Sequence, residues 1–454
     1  MIQIIRNSQR RVKLDFLTRR GAEPYDGARR AGFRMISTLR YGTHLSLSLE
    51  LPSQGLLAHC DAPRGEPLLH VAEAVDRALA EPLEFPQLAQ AAVPGDKVVL
   101  ALAEGVPQAP TVVARTIEVL LAGGVSARDI TLLRAAGDCA ADAPDLSEQT
   151  SGEVRRSIAK SIHDPTDRGS LCYLAATSQA KPIYINRAIH DADVVVSIGC
   201  LRLDESLGYY GINSCLFPTF SDEANLKRYR LGKSCEPARR NRLRNEADQV
   251  SWLLGVQFTI QIVPGAGTRI LHVLSGSPEA VFRRGSELCS EAWSYSVPRR
   301  ANLVIATIEG DATQQTWHNV ARALAAASQC VSDEGAIAIC TDLAEPCGPA
   351  LQRLIGAEDL DEVLDEIDKQ RPADAVTATQ LAQAMQRGKV YLISRLAEDL
   401  VEDLGILPVT AEQISRLAAR YESSILLANA QYAIARPRAE VIVEPWLAEH
   451  KSRT

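Results

Sequence analysis

The chain has 454 residues, which predicts two or three domains, because single hydrophobic cores rarely grow beyond about 250–300 residues. Its 46% hydrophobic and 23% charged residues are globular values, and a net charge of -7 argues against a general nucleic-acid binder. No apolar run is long enough to span a bilayer and no signal peptide follows Met1, so we expect a cytoplasmic protein with no membrane partner. Ten scattered cysteines without a Cys-x-x-Cys pair indicate reduced thiols rather than disulfides or a zinc site.

The first 40 residues are rich in arginine and are predicted to form a basic N-terminal extension. This extension is either a basic arm that binds an acidic partner or a poorly ordered segment. The second interpretation also covers a start codon that was placed too early, in which case these residues are not part of the native chain. From residue 41 the pattern alternates between short apolar strands and helices, which is typical of a largely parallel sheet covered on both faces. The predicted strands are 45–51, 98–102, 130–133, 171–174, 182–185 and 194–198, and the predicted helices are 69–79, 111–122 and 151–162.

A second unit with the same alternation of strands and helices follows a predicted domain boundary near residues 285–300. Its predicted strands are 302–308, 336–340, 390–394 and 424–428, and its predicted helices are 316–330, 378–387 and 412–421. The sequence therefore predicts an α/β protein: two doubly wound α/β domains, residues 41–295 and 296–454, with a cleft between them.

One segment, GCLRLDESLGYYGINSCLFP at residues 199–218, follows the apolar strand that ends at Gly199. Together with Gly137, the pair His163-Asp164 and the run 181–187, it resembles in order and spacing the N-terminal domain of the nickel-pincer lactate racemase family. The resemblance implies racemisation or epimerisation of a 2-hydroxy acid in the cleft between two α/β domains. In that family a nickel-bearing pincer nucleotide takes and returns the hydride, histidines move the hydroxyl proton, a lysine holds the cofactor and a histidine ligates nickel.

The resemblance points to three candidate catalytic residues. Cys139 stands where the first catalytic histidine is expected, His163 belongs to the retained His-Asp pair, and Asp204 stands where the second histidine is expected. A thiol, an imidazole and a carboxylate can each carry a proton. Each position also has a plainer interpretation: a small residue in a lost site, an orienting histidine, and an exposed acidic pair with Glu205.

Four further positions, Glu104, Ser214, Arg230 and His318, correspond to cofactor-binding residues of the family. Ser214 replaces the lysine and cannot form its linkage. Arg230, or its neighbour Tyr229, replaces the nickel ligand, and an arginine that stays charged is a poor ligand. We therefore expect that the pincer nucleotide is not bound and that the chain has no metal site.

Two functions stay open at this point. The chain is either a divergent relative of the 2-hydroxyacid racemases and epimerases, which would be an isomerase if it is active, or a non-catalytic protein. A non-catalytic protein with the same fold would bind a small anion or have a regulatory role. The basic stretch 227–244 favours an anionic ligand such as a carboxylate, although it is also what a solvated helix and loop would carry. A small organic anion or hydroxy acid is the expected partner.

Overall fold

The computed structural model describes residues 34–61, 63–135, 145–177, 179–203, 211–230 and 237–440. Its strands, in chain order, are β1 (Arg34–Tyr41), β2 (Leu45–Pro52), β3 (Leu56–Cys60), β4 (Val98–Leu102), β5 (Ile130–Arg134), β6 (Ala159–Ile162), β7 (Leu171–Ala176), β8 (Pro182–Asn186), β9 (Val194–Cys200), β10 (Phe258–Pro264), β11 (Ile270–Gly276), β12 (Ser294–Val297), β13 (Ala301–Thr307), β14 (Val331–Cys340), β15 (Lys389–Ile393), β16 (Leu407–Pro408), β17 (Ser424–Leu427) and β18 (Ile434–Pro437).

Helices alternate with these strands along most of the chain. They are α1 (Val71–Ala80), α2 (Leu88–Ala91), α3 (Ala109–Ala122), α4 (Gly152–Ser157), α5 (Arg187–His190), α6 (Glu223–Tyr229), α7 (Pro237–Leu253), α8 (Pro278–Trp293), α9 (Trp317–Cys330), α10 (Leu360–Gln370), α11 (Ala375–Arg387), α12 (Glu398–Asp403) and α13 (Ala411–Ala418). Across the described ranges, none of them has the length and apolar character needed to cross a membrane.

The first sheet has the strand order β11-β10-β9-β4-β5-β6, and all of its pairs are parallel except β10 with β11. Strand β4 shows why both faces are covered, because all five of its residues are buried. Val98, Leu100 and Leu102 pack in a cluster with α1 and α3. Val99 and Ala101 face the opposite way and pack with residues of α5 and α7. Side chains that alternate between two apolar layers are expected of a parallel strand in the middle of a sheet.

The second sheet has the order β16-β15-β14-β13-β17-β3, and every pair in it is parallel. Val304 and Ala306 of β13 pack in a cluster with α9 and α11, whereas Leu303 and Ile305 face a cluster that contains the β1–β2 hairpin and α13. The α/β class with two α/β domains is therefore confirmed. The domain limits at 41, 295 and 296 stay predictions, although the early strand β3 pairs with β17 and so belongs to the second sheet.

Two local predictions were wrong. The helix predicted over 151–162 ends at Ser157, and Ala159–Ile162 instead pair with β5 as the edge strand β6. The predicted extension also includes residues of β1, which begins at Arg34 and pairs with β2 along its length. In both cases backbone pairing with a neighbouring strand decided the local structure, as tertiary context often does.

Candidate functional site

Each sheet has a point where the chain stops adding strands on one side and starts on the other. In the first sheet this point lies between β4 and β9, and in the second it lies between β13 and β17. In open α/β sheets, ligands bind outside the carboxyl ends of the strands at such switch points, because the connections leave in opposite directions and open a crevice there. The segments that follow Leu102, Cys200, Thr307 and Leu427 are therefore the first places to look for a site.

The segments that follow β9, β10 and β17 meet at one small recess between the two sheets. We call it the interdomain recess and define it by its lining residues, Leu201, Arg202, Leu203, Pro264, Cys289, Arg322, Ala430, Gln431, Tyr432 and Ala433. Its volume is about 20 Å³. A water needs roughly 10–15 Å³, so the interdomain recess has room for about one water or one carboxylate-sized group.

Arg202 reaches into the interdomain recess from the end of β9. Its guanidinium lies over the ring of Tyr432, 5.2 Å from the ring centroid, in a cation–π contact between the two domains. Its Nη1 is buried and has no hydrogen-bond partner among the described residues. Gly105, three residues after β4 ends, lies beside this guanidinium, and a Cβ there would come within 3.3 Å of Arg202 Nη2. A buried donor without a partner is costly, and an anion would relieve that cost.

A second arginine, Arg322 on α9, also lines the interdomain recess. Its Nη1 donates to Asn319 Oδ1 at 2.8 Å, and Asn319 in turn donates to the Gln314 carbonyl at 2.9 Å. The charge of Arg322, then burial and the charge of Arg202, hold the pKa of His318 well below its ordinary value. The His318 ring is exposed to solvent, so we attribute this direction mainly to the two guanidinium charges. His318 is therefore a neutral imidazole at pH 7.

Gln431 contributes the complementary group. Its Nε2 donates to the Glu309 carbonyl at 3.2 Å, which fixes the orientation of the amide. Its Oε1 is buried and has no hydrogen-bond partner among the described residues. The neighbouring Tyr432 is held in place by its hydroxyl, which donates to Gln314 Oε1 at 2.7 Å. Two residues that line the interdomain recess thus each carry a buried atom without a partner among the described residues, the donor Arg202 Nη1 and the acceptor Gln431 Oε1.

A cysteine on the wall of the recess is not a reactive thiol. Burial raises the pKa of Cys289 to about 12, so its side chain stays protonated at neutral pH. Burial also raises the pKa of Cys200. Arginine charge and amide dipoles, rather than a nucleophile, therefore characterise the interdomain recess.

The predicted catalytic residue His163 is almost fully buried, at 2% exposure, away from the residues that line the recess. Its Nε2 contacts the Ser221 carbonyl at 2.8 Å and its Nδ1 contacts Asn186 Nδ2 at 3.1 Å. Since a carbonyl only accepts and the amide nitrogen only donates, the hydrogen-bond pattern assigns the neutral Nε2–H tautomer. Both ring nitrogens are occupied by protein groups, and the part of His163 in proton transfer stays a prediction.

Two predicted cofactor residues, Ser214 and Arg230, also hold protein contacts. The Ser214 hydroxyl is buried and donates to the Gly211 carbonyl at 2.6 Å. Arg230 Nη1 donates to Glu223 Oε1 at 2.7 Å and to the Arg371 carbonyl at 3.2 Å, so it joins α6 to the end of α10. A hydrogen-bonded hydroxyl and an ion-paired guanidinium do not fit the amine linkage and the nickel ligation that the resemblance assigns to these positions.

The remaining predicted residues fall in different places. Glu104 is exposed and follows β4 next to Gly105, at the first switch point. His318 lies beside the interdomain recess, as described above. Cys139 and Asp204 lie outside the described residues, so their roles stay predictions.

Sequence reasoning missed Arg202, Gln431 and Tyr432. They come from two distant segments, and none of them belongs to a recognisable sequence motif. The rule that ligands bind at the carboxyl ends of strands, applied to β9 and β17, would have singled out Arg202 and Gln431.

The fold and the interdomain recess define a two-domain α/β protein with a candidate anion site between its sheets. Residues 41–234 match the family model described as the lactate racemase N-terminal domain. The match covers less than half of the chain, so this region is similar to the N-terminal domain of the lactate racemases, an isomerase family. No curated protein matches the chain in sequence.

Two solved structures are similar in fold. One is the lactate racemase apoprotein from Thermoanaerobacterium thermosaccharolyticum, with a TM-score of 0.70, 18% identity, and coverage of 88% of this chain and 100% of that chain. The other is a protein from Thermotoga maritima, with a TM-score of 0.60, 14% identity, and coverage of 82% of this chain and 99% of that chain. At these identities the likeness shows the fold alone.

Proposed function

We propose that this protein binds a small hydroxy carboxylate in the interdomain recess and does so without the nickel-pincer cofactor. The observation that carries the proposal is the pair of unpartnered buried atoms, Arg202 Nη1 and Gln431 Oε1, which belong to two residues that line one recess. A carboxylate satisfies the donor and a hydroxyl satisfies the acceptor. A hydroxy acid offers both groups on one small molecule.

Electrostatics support an anion at this place. Arg202 and Arg322 bring two permanent positive charges to the same recess, and a carboxylate between them would offset their mutual repulsion. His318 is neutral because of these charges, so it can accept a hydrogen bond from a ligand hydroxyl or receive a proton.

The size of the recess limits what can enter it. A volume of about 20 Å³ accommodates the carboxylate end of a ligand, and the remainder of the molecule would extend toward solvent.

The absence of a pincer cofactor is the second half of the proposal. Ser214 has no amine for the linkage and Arg230 is engaged with Glu223. Cys139 and Asp204 replace the two catalytic histidines expected from the resemblance. Four altered positions favour binding of a carboxylate over hydride-transfer racemisation on this chain.

Calorimetric titration of the purified protein with a panel of hydroxy acids tests the binding role. Arg202→Gln keeps a hydrogen-bonding side chain but removes the charge, so the affinity for the best ligand should fall by about 1.5–3 kcal/mol, or roughly 10- to 150-fold. Arg283→Gln is the matched control, because Arg283 pairs on the surface with Glu84 and does not line the interdomain recess.

The ligand affinity of Arg230→Gln tests the competing prediction that Arg230 contacts the anion. The proposal expects unchanged ligand affinity in this variant, because the guanidinium already pairs with Glu223. Equal affinity of the wild type and Arg202→Gln would contradict the assignment of the interdomain recess, and no binding of any hydroxy acid would contradict the proposed function.

A further inference from the structure

A group of metal-ligand side chains lies on the first α/β domain, on strand β7 and at the end of α5. Within the described residues, Cys172, His190 and Asp191 place a sulfur, an imidazole nitrogen and a carboxylate oxygen within 4.8 Å of one another. None of the three lines the interdomain recess or matches a position that the family resemblance singles out. We call this group the Cys-His-Asp cluster.

The β7–β8 hairpin explains why these side chains meet. Cys172 lies opposite Ile185 in the antiparallel pair, so the end of β8 returns to the start of β7. The Asn186 side chain then accepts a hydrogen bond from the Ala188 backbone at 2.9 Å and starts the single turn of α5. Buried Ile189 anchors that turn. The turn therefore delivers His190 and Asp191 to the strand that carries Cys172.

The Cys-His-Asp cluster is accessible. Of the eight cysteines that the structure describes, seven are buried and Cys172 is the one that is partly exposed. The side chains of His190 and Asp191 are 39% and 50% exposed. His190 Nδ1 lies 2.7 Å from Asp191 Oδ1, and this hydrogen bond is the main reason that the pKa of Asp191 is lowered, so its carboxylate is ionised at neutral pH.

Some charges near the Cys-His-Asp cluster oppose the binding of a cation, and others favour it. Arg187 and Lys97 act on Asp191 and disfavour an added cation. A thiolate and a carboxylate supply two negative charges, which match those of a divalent ion. Sulfur and imidazole donors select zinc-like transition ions over Ca²⁺ and Mg²⁺, which prefer oxygen ligands.

We propose that Cys172, His190 and Asp191 bind a divalent transition-metal ion of the zinc class on the surface of the first domain. The ion takes the place of the proton between His190 Nδ1 and Asp191 Oδ1, and His190 binds it as a neutral imidazole with its one proton on Nε2. The Cys172 thiol releases its proton to solvent and becomes the third ligand. A water occupies the fourth position, as in open three-ligand sites. Typical bond lengths of about 2.0–2.3 Å put tetrahedral ligands roughly 3.3–3.8 Å apart. The His190 and Asp191 ligand atoms, which lie 2.7 Å apart, must therefore separate, and any ligand pair near the 4.8 Å limit must close by about 1 Å, through side-chain rotation.

Titration of the metal-free protein with Co²⁺ tests the proposal, because a thiolate ligand gives a charge-transfer band that identifies sulfur coordination. We expect one equivalent of Co²⁺ to produce this band, Zn²⁺ to displace it, and Cys172→Ser to abolish it. His190→Gln should weaken Co²⁺ binding by at least about tenfold, on the scale of a lost ligand. Circular dichroism of each variant establishes that the fold is retained.

Cys60→Ser and Cys347→Ser are the controls, since these two thiols lie in the buried cluster that contains α9 and are not part of the Cys-His-Asp cluster. Both controls should keep the band with unchanged Co²⁺ affinity. Loss of the band in either control, a band that persists in Cys172→Ser, or no stoichiometric Co²⁺ binding by the wild type would overturn the proposal.

Discussion

Truncation of His163 tests whether this histidine is a structural group rather than a free catalytic base. His163→Ala removes a ring that is 2% exposed and leaves the Ser221 carbonyl and the Asn186 amide without their partner. Each buried group without a partner costs about 1–3 kcal/mol, and the empty volume beside Phe220 adds to this cost. We expect the free energy of unfolding to fall by about 3–5 kcal/mol.

The contribution of His163 to stability should also depend on pH. Burial lowers the pKa of His163, so the folded chain binds this proton less readily than the unfolded chain does. The stability contributed by His163 is therefore full above the unfolded pKa of about 6.5 and is lost as the pH falls below it. Between pH 7.5 and 5.5 this loss amounts to at most about 1.4 kcal/mol for one histidine.

Urea unfolding of wild type and His163→Ala at these two pH values measures both effects. The stability difference between the two proteins should be smaller at pH 5.5 than at pH 7.5. His44→Ala is the matched control, because His44 is exposed and its loss should change stability little at either pH. A loss below about 1 kcal/mol in His163→Ala, or a difference that does not depend on pH, would refute the buried neutral role of His163.

Two further predictions concern the cofactor and the packing behind the recess. Intact-mass and metal analysis of protein co-expressed with a pincer-cofactor pathway should find the unmodified chain mass and no stoichiometric nickel, whereas one covalent cofactor per chain would revive the racemase mechanism. Gly285→Ala should destabilise the protein by about 1–3 kcal/mol in thermal unfolding and weaken ligand binding, because the new Cβ would lie 2.2 Å from Leu201 Cδ1, next to Arg202. Glu287→Ala, an exposed change on the same helix, should leave both properties unchanged, and a Gly285→Ala protein as stable as wild type would contradict the packing argument.

The sequence predicts the regular parts of this fold because their periodicity is strong. The apolar runs at 98–102 and 194–198 are the central strands β4 and β9, in which burial on both faces leaves little choice of residue. The short strand β6 was predicted as helix, since all four of its residues are exposed and only its pairing with β5 defines it. Strand β3 was not predicted at all, because its pairing partner β17 lies more than 300 residues away.

The candidate site was harder to predict than the fold. Family resemblance led to Ser214, Arg230 and His163, whose side chains all hold protein groups in the structure. The unpartnered atoms of Arg202 and Gln431 follow from the burial of single atoms, which no sequence pattern encodes. His318 is the predicted residue that the structure brings close to the charges of the interdomain recess.

Titration of the wild-type protein with lactate and with propionate, which differ only by the hydroxyl group, tests the central claim most directly. If the carboxylate binds Arg202 and the hydroxyl donates to Gln431 Oε1, lactate should bind more tightly than propionate by about 1–3 kcal/mol, or roughly 5- to 150-fold. The advantage of the hydroxyl should be present without added nickel or nucleotide. Equal affinities for lactate and propionate would contradict the claim that the interdomain recess recognises a hydroxy carboxylate.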